Sequence, residues 1–64
     1  MATAEELRQK NAAELAAQEK EMREQLFRLR FQLAAGQMES VKKIRELRRD
    51  IARLLTVRRE KEQG

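Results

Sequence analysis

Apolar side chains recur every three, four or seven residues in two stretches that a single glycine separates. The first stretch holds Leu15, Met22, Leu26, Leu29 and Leu33, and the second holds Ile44, Leu47, Ile51 and Leu54. Such spacing lines one side of an α-helix and is typical of coiled-coil seams. The chain has no proline, and its two glycines are Gly36 and Gly64, so neither stretch is interrupted. We therefore predict two long helices that pack antiparallel along their seams.

Capping signals set the predicted boundaries. Thr3 and Asn11 each precede a glutamate by three residues, which is the spacing of a capping box. Gly36 suits the left-handed residue after a helix, and Ser40 is expected to cap the helix that follows. In chain order we expect a helix at about 4–9, a helix at about 12–35, a turn at 36–40 and a helix at about 41–61. The predicted fold class is all-α, a single domain over 1–64 built as a long antiparallel two-helix coiled-coil hairpin with a short N-terminal helix.

Folding the chain about its turn fixes a register. Positions whose numbers sum to about 77 then face each other, so Leu26 lies beside Ile51 and Glu19 lies opposite Arg58. In this register the seam is expected to turn polar toward the open end of the hairpin. The short first helix, with Leu7, is expected to fold back there as a cover.

Charge is distributed unevenly along the chain. Residues 1–36 hold six basic and six acidic side chains, whereas residues 37–64 hold nine and five. Between residues 42 and 59 the only acids are Glu46 and Asp50, and this imbalance indicates a polyanionic partner. The basic residues there include one outward stripe at helical spacing, formed with a threonine: Lys42, Arg45, Arg49, Arg53 and Thr56. The alternative is an ordinary solvated face of a coiled coil, although such a face mixes both signs of charge.

Two aromatic residues lie away from the seam. Phe27 and Phe31 are four residues apart, on the side of the second helix opposite its leucines, and Arg28 and Arg30 flank them. Two helices cannot bury both sides of one of them. Either the first helix covers these rings, or they form a docking patch for RNA or another protein.

The residue types present argue against catalysis. Histidine and cysteine are absent, and the only hydroxyls belong to Thr3, Ser40 and Thr56, so no nucleophile has a base. The glutamates sit at first-turn and helix-surface positions, where capping and ion pairing are expected. We expect no enzyme activity, no metal, no cofactor and no small-molecule substrate. An apolar run of about 20 residues, as a bilayer span needs, is lacking, so we expect a cytoplasmic protein without a membrane partner.

Two segments resemble a known family. LFRLRFQLAAGQ at 26–37 and IRELRRDIARLLTVRRE at 44–60 resemble the family of bacterial large-subunit ribosomal protein number twenty-nine, and the resemblance covers about residues 14–60. It implies a structural constituent of the large ribosomal subunit that binds ribosomal RNA near the nascent-peptide exit tunnel. It also implies protein number twenty-three of that subunit as a neighbour. Trigger factor and the signal recognition particle dock at the same rim.

The resemblance also implies site residues. The positions that match the family's motifs are Arg30, Phe31, Gln32, Gly36, Gln37, Ile44, Arg45, Arg48, Arg49, Ile51, Ala52, Arg53, Thr56 and Val57. With Arg28 and Lys42 added from the charge pattern, the candidate RNA contacts are Arg28, Arg30, Gln32, Gln37, Lys42, Arg45, Arg48, Arg49, Arg53 and Thr56. Phe27 and Phe31 are the candidates for protein or RNA docking. The loop MESVKK departs from the family, in which many members have asparagine, often followed by proline.

Two other classes of function compete with this one. A protein-interaction coiled coil would use the seams for homodimerisation and would have no RNA role. A helix lying on a membrane surface fits less well, because the third helix carries charge around most of its girth and both aromatics lie on the other long helix.

Overall fold

The described residues form three helices, and the two long ones make the predicted hairpin. The computed structural model describes residues 3–63, so Met1, Ala2 and Gly64, the ends of the predicted domain, lie outside the described residues. Helix α1 spans Ala4–Arg8, α2 spans Ala12–Ala34 and α3 spans Ser40–Gln63. The long helices α2 and α3 pack against each other, and α1 packs on α3. The all-α hairpin with a short N-terminal helix is therefore confirmed.

The predicted caps start α1 and α2. The Thr3 hydroxyl oxygen accepts from the Glu6 backbone N–H at 3.3 Å. Asn11 and Glu14 form a complete capping box: the Glu14 N–H donates to the Asn11 side chain at 2.8 Å, and the Asn11 N–H donates to the Glu14 carboxylate at 3.5 Å. These bonds satisfy backbone donors that have no partner inside the helix.

Gly36 ends α2 as predicted. Its φ is +98°, which side chains with a Cβ rarely adopt. The Gly36 N–H donates to the Leu33 carbonyl at 2.9 Å and the Gln37 N–H donates to the Gln32 carbonyl at 3.1 Å. This pair of bonds is the Schellman arrangement that closes a helix C-terminus.

Ser40 departs from its predicted role as the N-cap of α3. It is the first residue of the helix, 2% exposed, and its hydroxyl donates to the Gln32 side-chain oxygen at 3.4 Å. The turn directs the hydroxyl inward across the hairpin, so Ser40 joins the two long helices at the tip.

The core lies at the open end of the hairpin. Leu7, Leu15, Leu54 and Val57 form one buried cluster, and Ala4 and Met22 pack against it. The expectation that the seam turns polar there is wrong, because Val57 follows Leu54 at helical spacing and α1 inserts Leu7 beside it. The predicted return of α1 as a cover over this end is confirmed.

Ion pairs flank this core. Arg8 of α1 contacts the Glu60 carboxylate at 3.1 Å, and the Lys61 ammonium donates to the Arg8 carbonyl at 2.8 Å. Glu19 accepts hydrogen bonds from Arg23 at 2.8 Å and from Arg58 of the opposite helix. The Glu19–Arg58 contact is the one that the predicted register requires.

Toward the tip the seam is less protected from water. Leu29, Leu33, Ile44 and Leu47 are half-buried, and the described residues form a body of 43 × 17 × 16 Å. A body this narrow buries little of its surface, so its stability depends on few contacts. Within residues 3–63 no helix is both long and apolar enough to cross a membrane.

Leu54→Ala should lower the free energy of unfolding by about 2–5 kcal/mol, because it opens a cavity in the only buried cluster described. The matched control is Leu55→Ala, the same change at the half-buried neighbouring position, which should cost less. Urea unfolding followed by far-UV circular dichroism measures both. Equal losses would contradict the placement of the core.

Acid should weaken the contacts around Glu19. Hydrogen bonds from Arg23 and then Arg58 hold the pKa of Glu19 below its ordinary value of 4.5, and Arg8 does the same for the pKa of Glu60. The stabilisation is therefore complete above the unfolded-state pKa and is lost as pH falls through the lower folded-state pKa.

We expect Glu19→Gln to be less stable than the parent chain at about pH 7 and to approach it at about pH 3. Glu21→Gln removes an exposed carboxylate of the same helix as a control. A gap between Glu19→Gln and the parent that stays constant with pH would contradict this assignment.

Candidate nucleic-acid interface

The outer side of α3 carries half of the predicted RNA contacts. Lys42, Arg45 and Arg49 are exposed and recur at three or four residues. Among residues 3–63 none of the three has an ion-pair partner. Because no carboxylate of residues 3–63 pairs with these cations, this surface can bind phosphates and release counterions.

Two members of the predicted stripe are already engaged within the chain. Arg53 is half-buried and lies 3.9 Å from the Asp50 carboxylate. Thr56 is exposed, but its hydroxyl donates to the Ala52 carbonyl at 3.0 Å. That bond uses the only proton of the hydroxyl, so Thr56 can accept a hydrogen bond from a ligand but cannot donate one to a phosphate.

The two candidate glutamines lie at the tip. Gln32 is exposed, and its side-chain oxygen accepts from Ser40, which leaves its amide protons available as donors. Gln37 is exposed in the turn. Both are close to the end of the hairpin where the seam is less buried.

Arg30 and Arg48 meet on one flank of the hairpin. They line the same hollow of about 270 Å³, together with Arg23, Leu26, Ile51, Ala52 and Leu55. Arg48 also lines a neighbouring hollow of about 410 Å³ with Val41, Ile44 and Arg45. We call these two hollows, which share Arg48 in their lining, the arginine groove. The sequence analysis placed Arg30 beside the phenylalanines and took Arg48 from the family motif, and it did not single out Arg23.

The two phenylalanines face solvent on the far side of α2. Phe27 is 72% exposed and Phe31 is 71% exposed. Helix α1 packs on α3 instead of covering them, because Leu7 joins the cluster of Leu54 and Val57. Of the two alternatives, the one in which the first helix covers these rings is therefore wrong.

We call the exposed side of α2 around Phe27 and Phe31 the phenylalanine surface, and charges of both signs surround it. Phe27 borders a hollow of about 570 Å³ with Arg28 and with the following residues: Ala16, Glu19, Lys20, Arg23, Glu24 and Arg58. The surface is thus apolar at its centre and mixed in charge around it. It contrasts with the outer side of α3, where cations dominate.

Comparisons with known proteins all indicate the same family. The family described as "Ribosomal L29 protein" matches residues 5–61. The chain is 52% identical over 62 residues to "Large ribosomal subunit protein uL29" of Saccharopolyspora erythraea, covering 97% of this chain and 78% of that protein. It is 49% identical over 59 residues to the protein of the same name from Geobacillus stearothermophilus, covering 92% and 89%. No solved structure is significantly similar to the chain.

Replacing both Phe27 and Phe31 with serine should leave the free energy of unfolding within about 0.5 kcal/mol of the parent chain, because exposed rings make few contacts in the folded chain. Leu26→Ser, next to Phe27 but buried in the seam, should be strongly destabilising. Urea titration checks both. A large loss in the double variant would mean that another part of the chain covers the rings.

Proposed function

The chain belongs to the ribosomal L29 protein family, and from this premise we propose that it is a structural constituent of the large ribosomal subunit that binds ribosomal RNA beside the nascent-peptide exit tunnel. The observation that carries the proposal is the unpaired cations on the outer side of α3: Lys42, Arg45 and Arg49. The uL29 proteins of Saccharopolyspora and Geobacillus support the ribosomal context.

Binding to RNA is mainly electrostatic in this proposal. Arg45 and Arg49, with Lys42, neutralise phosphates and release counterions. Arg53 adds a charge that Asp50 partly offsets. The free amide protons of Gln32 suit phosphate or carbonyl oxygens, and Gln37 offers the same chemistry at the turn.

A hydrogen bond at Thr56 would favour RNA over DNA. Its hydroxyl oxygen accepts from a ribose 2′-hydroxyl, since its own proton is engaged by Ala52. These contacts read the shape and sugars of RNA and do not depend on base edges.

The phenylalanine surface serves docking in the assembled subunit. Phe27 and Phe31 pack against a neighbouring surface, and Arg28 contributes at their edge. As the resemblance implies, we propose protein number twenty-three of the large subunit as a neighbour. Trigger factor and the signal recognition particle would meet the chain at the tunnel rim. The chain then acts in the cytoplasm as one domain over 1–64, without cofactor or catalysis.

A second candidate function is a protein-interaction coiled coil without an RNA role. The exposure of Phe27 and Phe31 favours it, because an apolar surface can pair two copies. Sedimentation of the dilute chain with and without large-subunit ribosomal RNA separates the two functions. A stable helical dimer that is indifferent to RNA would favour the coiled coil.

Arg45→Gln combined with Arg49→Gln should sharply reduce incorporation into large subunits when the variant competes with the parent chain in the same cells. Binding to purified large-subunit ribosomal RNA should also depend less on salt. The slope of the logarithm of the binding constant against the logarithm of the salt concentration should become shallower by about 0.7–0.9 for each phosphate contact removed. Helicity should be unchanged, because both side chains are exposed.

The matched control removes two exposed cations that are not among the candidate RNA contacts, as Lys20→Gln with Arg59→Gln. It should leave RNA binding and its salt slope close to those of the parent chain. Normal incorporation of the Arg45 and Arg49 double variant would contradict the RNA-binding proposal.

A further inference from the structure

Helix α2 carries a second seam on the side that faces away from α3. Seven exposed residues recur there, alternately four and three positions apart: Ala13, Ala17, Lys20, Glu24, Phe27, Phe31 and Ala34. This is the spacing by which a coiled-coil helix packs on a partner helix. The first seam of α2, which includes Leu15 and Leu26, is already buried inside the hairpin. The second seam is left exposed to solvent.

Two opposite charges lie in the middle of the second seam. Lys20 and Glu24 are exposed, and neither forms an ion pair with another residue of 3–63. On the N-terminal side of these charges the seam has small alanine side chains, and on the C-terminal side it has the two phenylalanine rings. Small residues, charges and large residues therefore follow one another along the helix.

This order is self-complementary when a second copy of α2 runs antiparallel. If the twofold axis passes level with residue 22, positions whose numbers sum to 44 face each other. Three kinds of pair result, and each occurs twice: Lys20 with Glu24, Ala17 with Phe27, and Ala13 with Phe31. Each ring then meets a small side chain, and each charge meets the opposite charge.

We propose that the free chain pairs with a second copy of itself through the second seam, so that two hairpins lie back to back with their α2 helices antiparallel. The phenylalanine surface belongs to this seam, so pairing and docking in the subunit exclude each other. The pair is thus a state of the unassembled chain that separates before docking. Arg45 and Arg49 lie on the outer side of α3, away from the paired helices, and remain accessible in it.

Other registers fit the second seam less well. A shift of one heptad sets Glu24 against Phe27, which covers the carboxylate without a cation. A shift of two heptads brings Phe27 opposite Phe31, but it sets Glu24 against Ala34 and leaves about half of α2 without a partner. A parallel pair would set Lys20 against Lys20 and Glu24 against Glu24, and like charges repel. Only the antiparallel register about residue 22 pairs both charges while nearly the whole of α2 overlaps.

The interface is small, so the pair is weak. Phe27 is 72% exposed and Phe31 is 71% exposed. Covering these rings in both copies removes roughly 400–700 Å² from water, because a fully buried aromatic side chain accounts for about 150–250 Å². Weak complexes bury less than about 1,200 Å² in total, and a dissociation constant of roughly 10 μM to 1 mM is expected here. Covering Lys20 and Glu24 costs desolvation free energy, so this ion pair selects the register more than it adds affinity.

The test is sedimentation equilibrium of the full chain from about 5 μM to about 1 mM, a range that includes the expected dissociation constant. Lys20→Glu makes both charges of the second seam negative, and Glu24→Lys makes both positive. Phe27→Ser combined with Phe31→Ser removes the rings. The matched control is Glu46→Lys, the same charge change at an exposed position of α3. Circular dichroism verifies that each variant remains helical.

We expect the parent chain and Glu46→Lys to form the same concentration-dependent dimer. Lys20→Glu alone and Glu24→Lys alone should each pair at least about tenfold more weakly, because like charges then face each other across the axis. An equimolar mixture of these two variants should form a heterodimer at least as tight as the parent dimer, since every charged position then faces its opposite. A change in folding within either chain would not be repaired by mixing. The double phenylalanine variant should stay monomeric.

Three outcomes would overturn this inference. The parent chain could stay monomeric up to about 1 mM, well above the expected dissociation constant. Its dimer could survive in Lys20→Glu or in the double phenylalanine variant, which would mean that the copies meet through another surface. The mixture of the two charge variants could fail to pair where the parent chain pairs. None of these results bears on RNA binding, which is tested separately at Arg45 and Arg49.

Discussion

The buried cluster of Leu7, Leu15, Leu54 and Val57 is the contact on which the rest of the structure depends. It joins all three helices at the open end, where an antiparallel pair would otherwise separate. It also fixes the rotation of α3, since Leu54 and Val57 must face inward. Once α3 is oriented in this way, Lys42, Arg45 and Arg49 face outward. The position of the candidate RNA-binding surface therefore follows from a few apolar contacts at the open end of the hairpin, far from the tip.

Most of the carboxylates that form ion pairs lie near the open end of the hairpin, so they do not neutralise the cations nearer the tip. Glu19 binds Arg23 and Arg58, and Glu60 binds Arg8, so both carboxylates stabilise the open end of the hairpin. Asp50 engages Arg53. Toward the tip, Arg30, Arg45 and Arg48 have no such partner among residues 3–63. The same chain thus uses its acids for folding at one end and keeps uncompensated cations along the flank and outer side of α3.

The heptad-like spacing and Gly36 were enough to predict the two long helices, the turn and the register that brings Glu19 to Arg58, because each follows from local periodicity and chain reversal. The polar open end was predicted wrongly, because the seam of α3 was taken to end at Leu54, whereas Val57 continues it into the buried cluster. The arginine groove was also beyond the sequence, because it depends on how two helices rotate about each other. Ser40 shows the limit of capping rules, as its hydroxyl bonds across the turn to Gln32. The predicted RNA contacts at Arg45 and Arg49 stay predictions, now with an exposed and unpaired geometry behind them.

We propose that this chain resides in the large ribosomal subunit, held there largely by contacts between its cations and RNA phosphates. The most direct measurement is sucrose-gradient fractionation of a cell extract at moderate and at high salt, with the chain quantified in each fraction by mass spectrometry. We expect co-migration with large subunits that persists at moderate salt and is lost only when strong salt strips proteins from the particle. A pool of free chain at the top of the gradient at every salt concentration would contradict it.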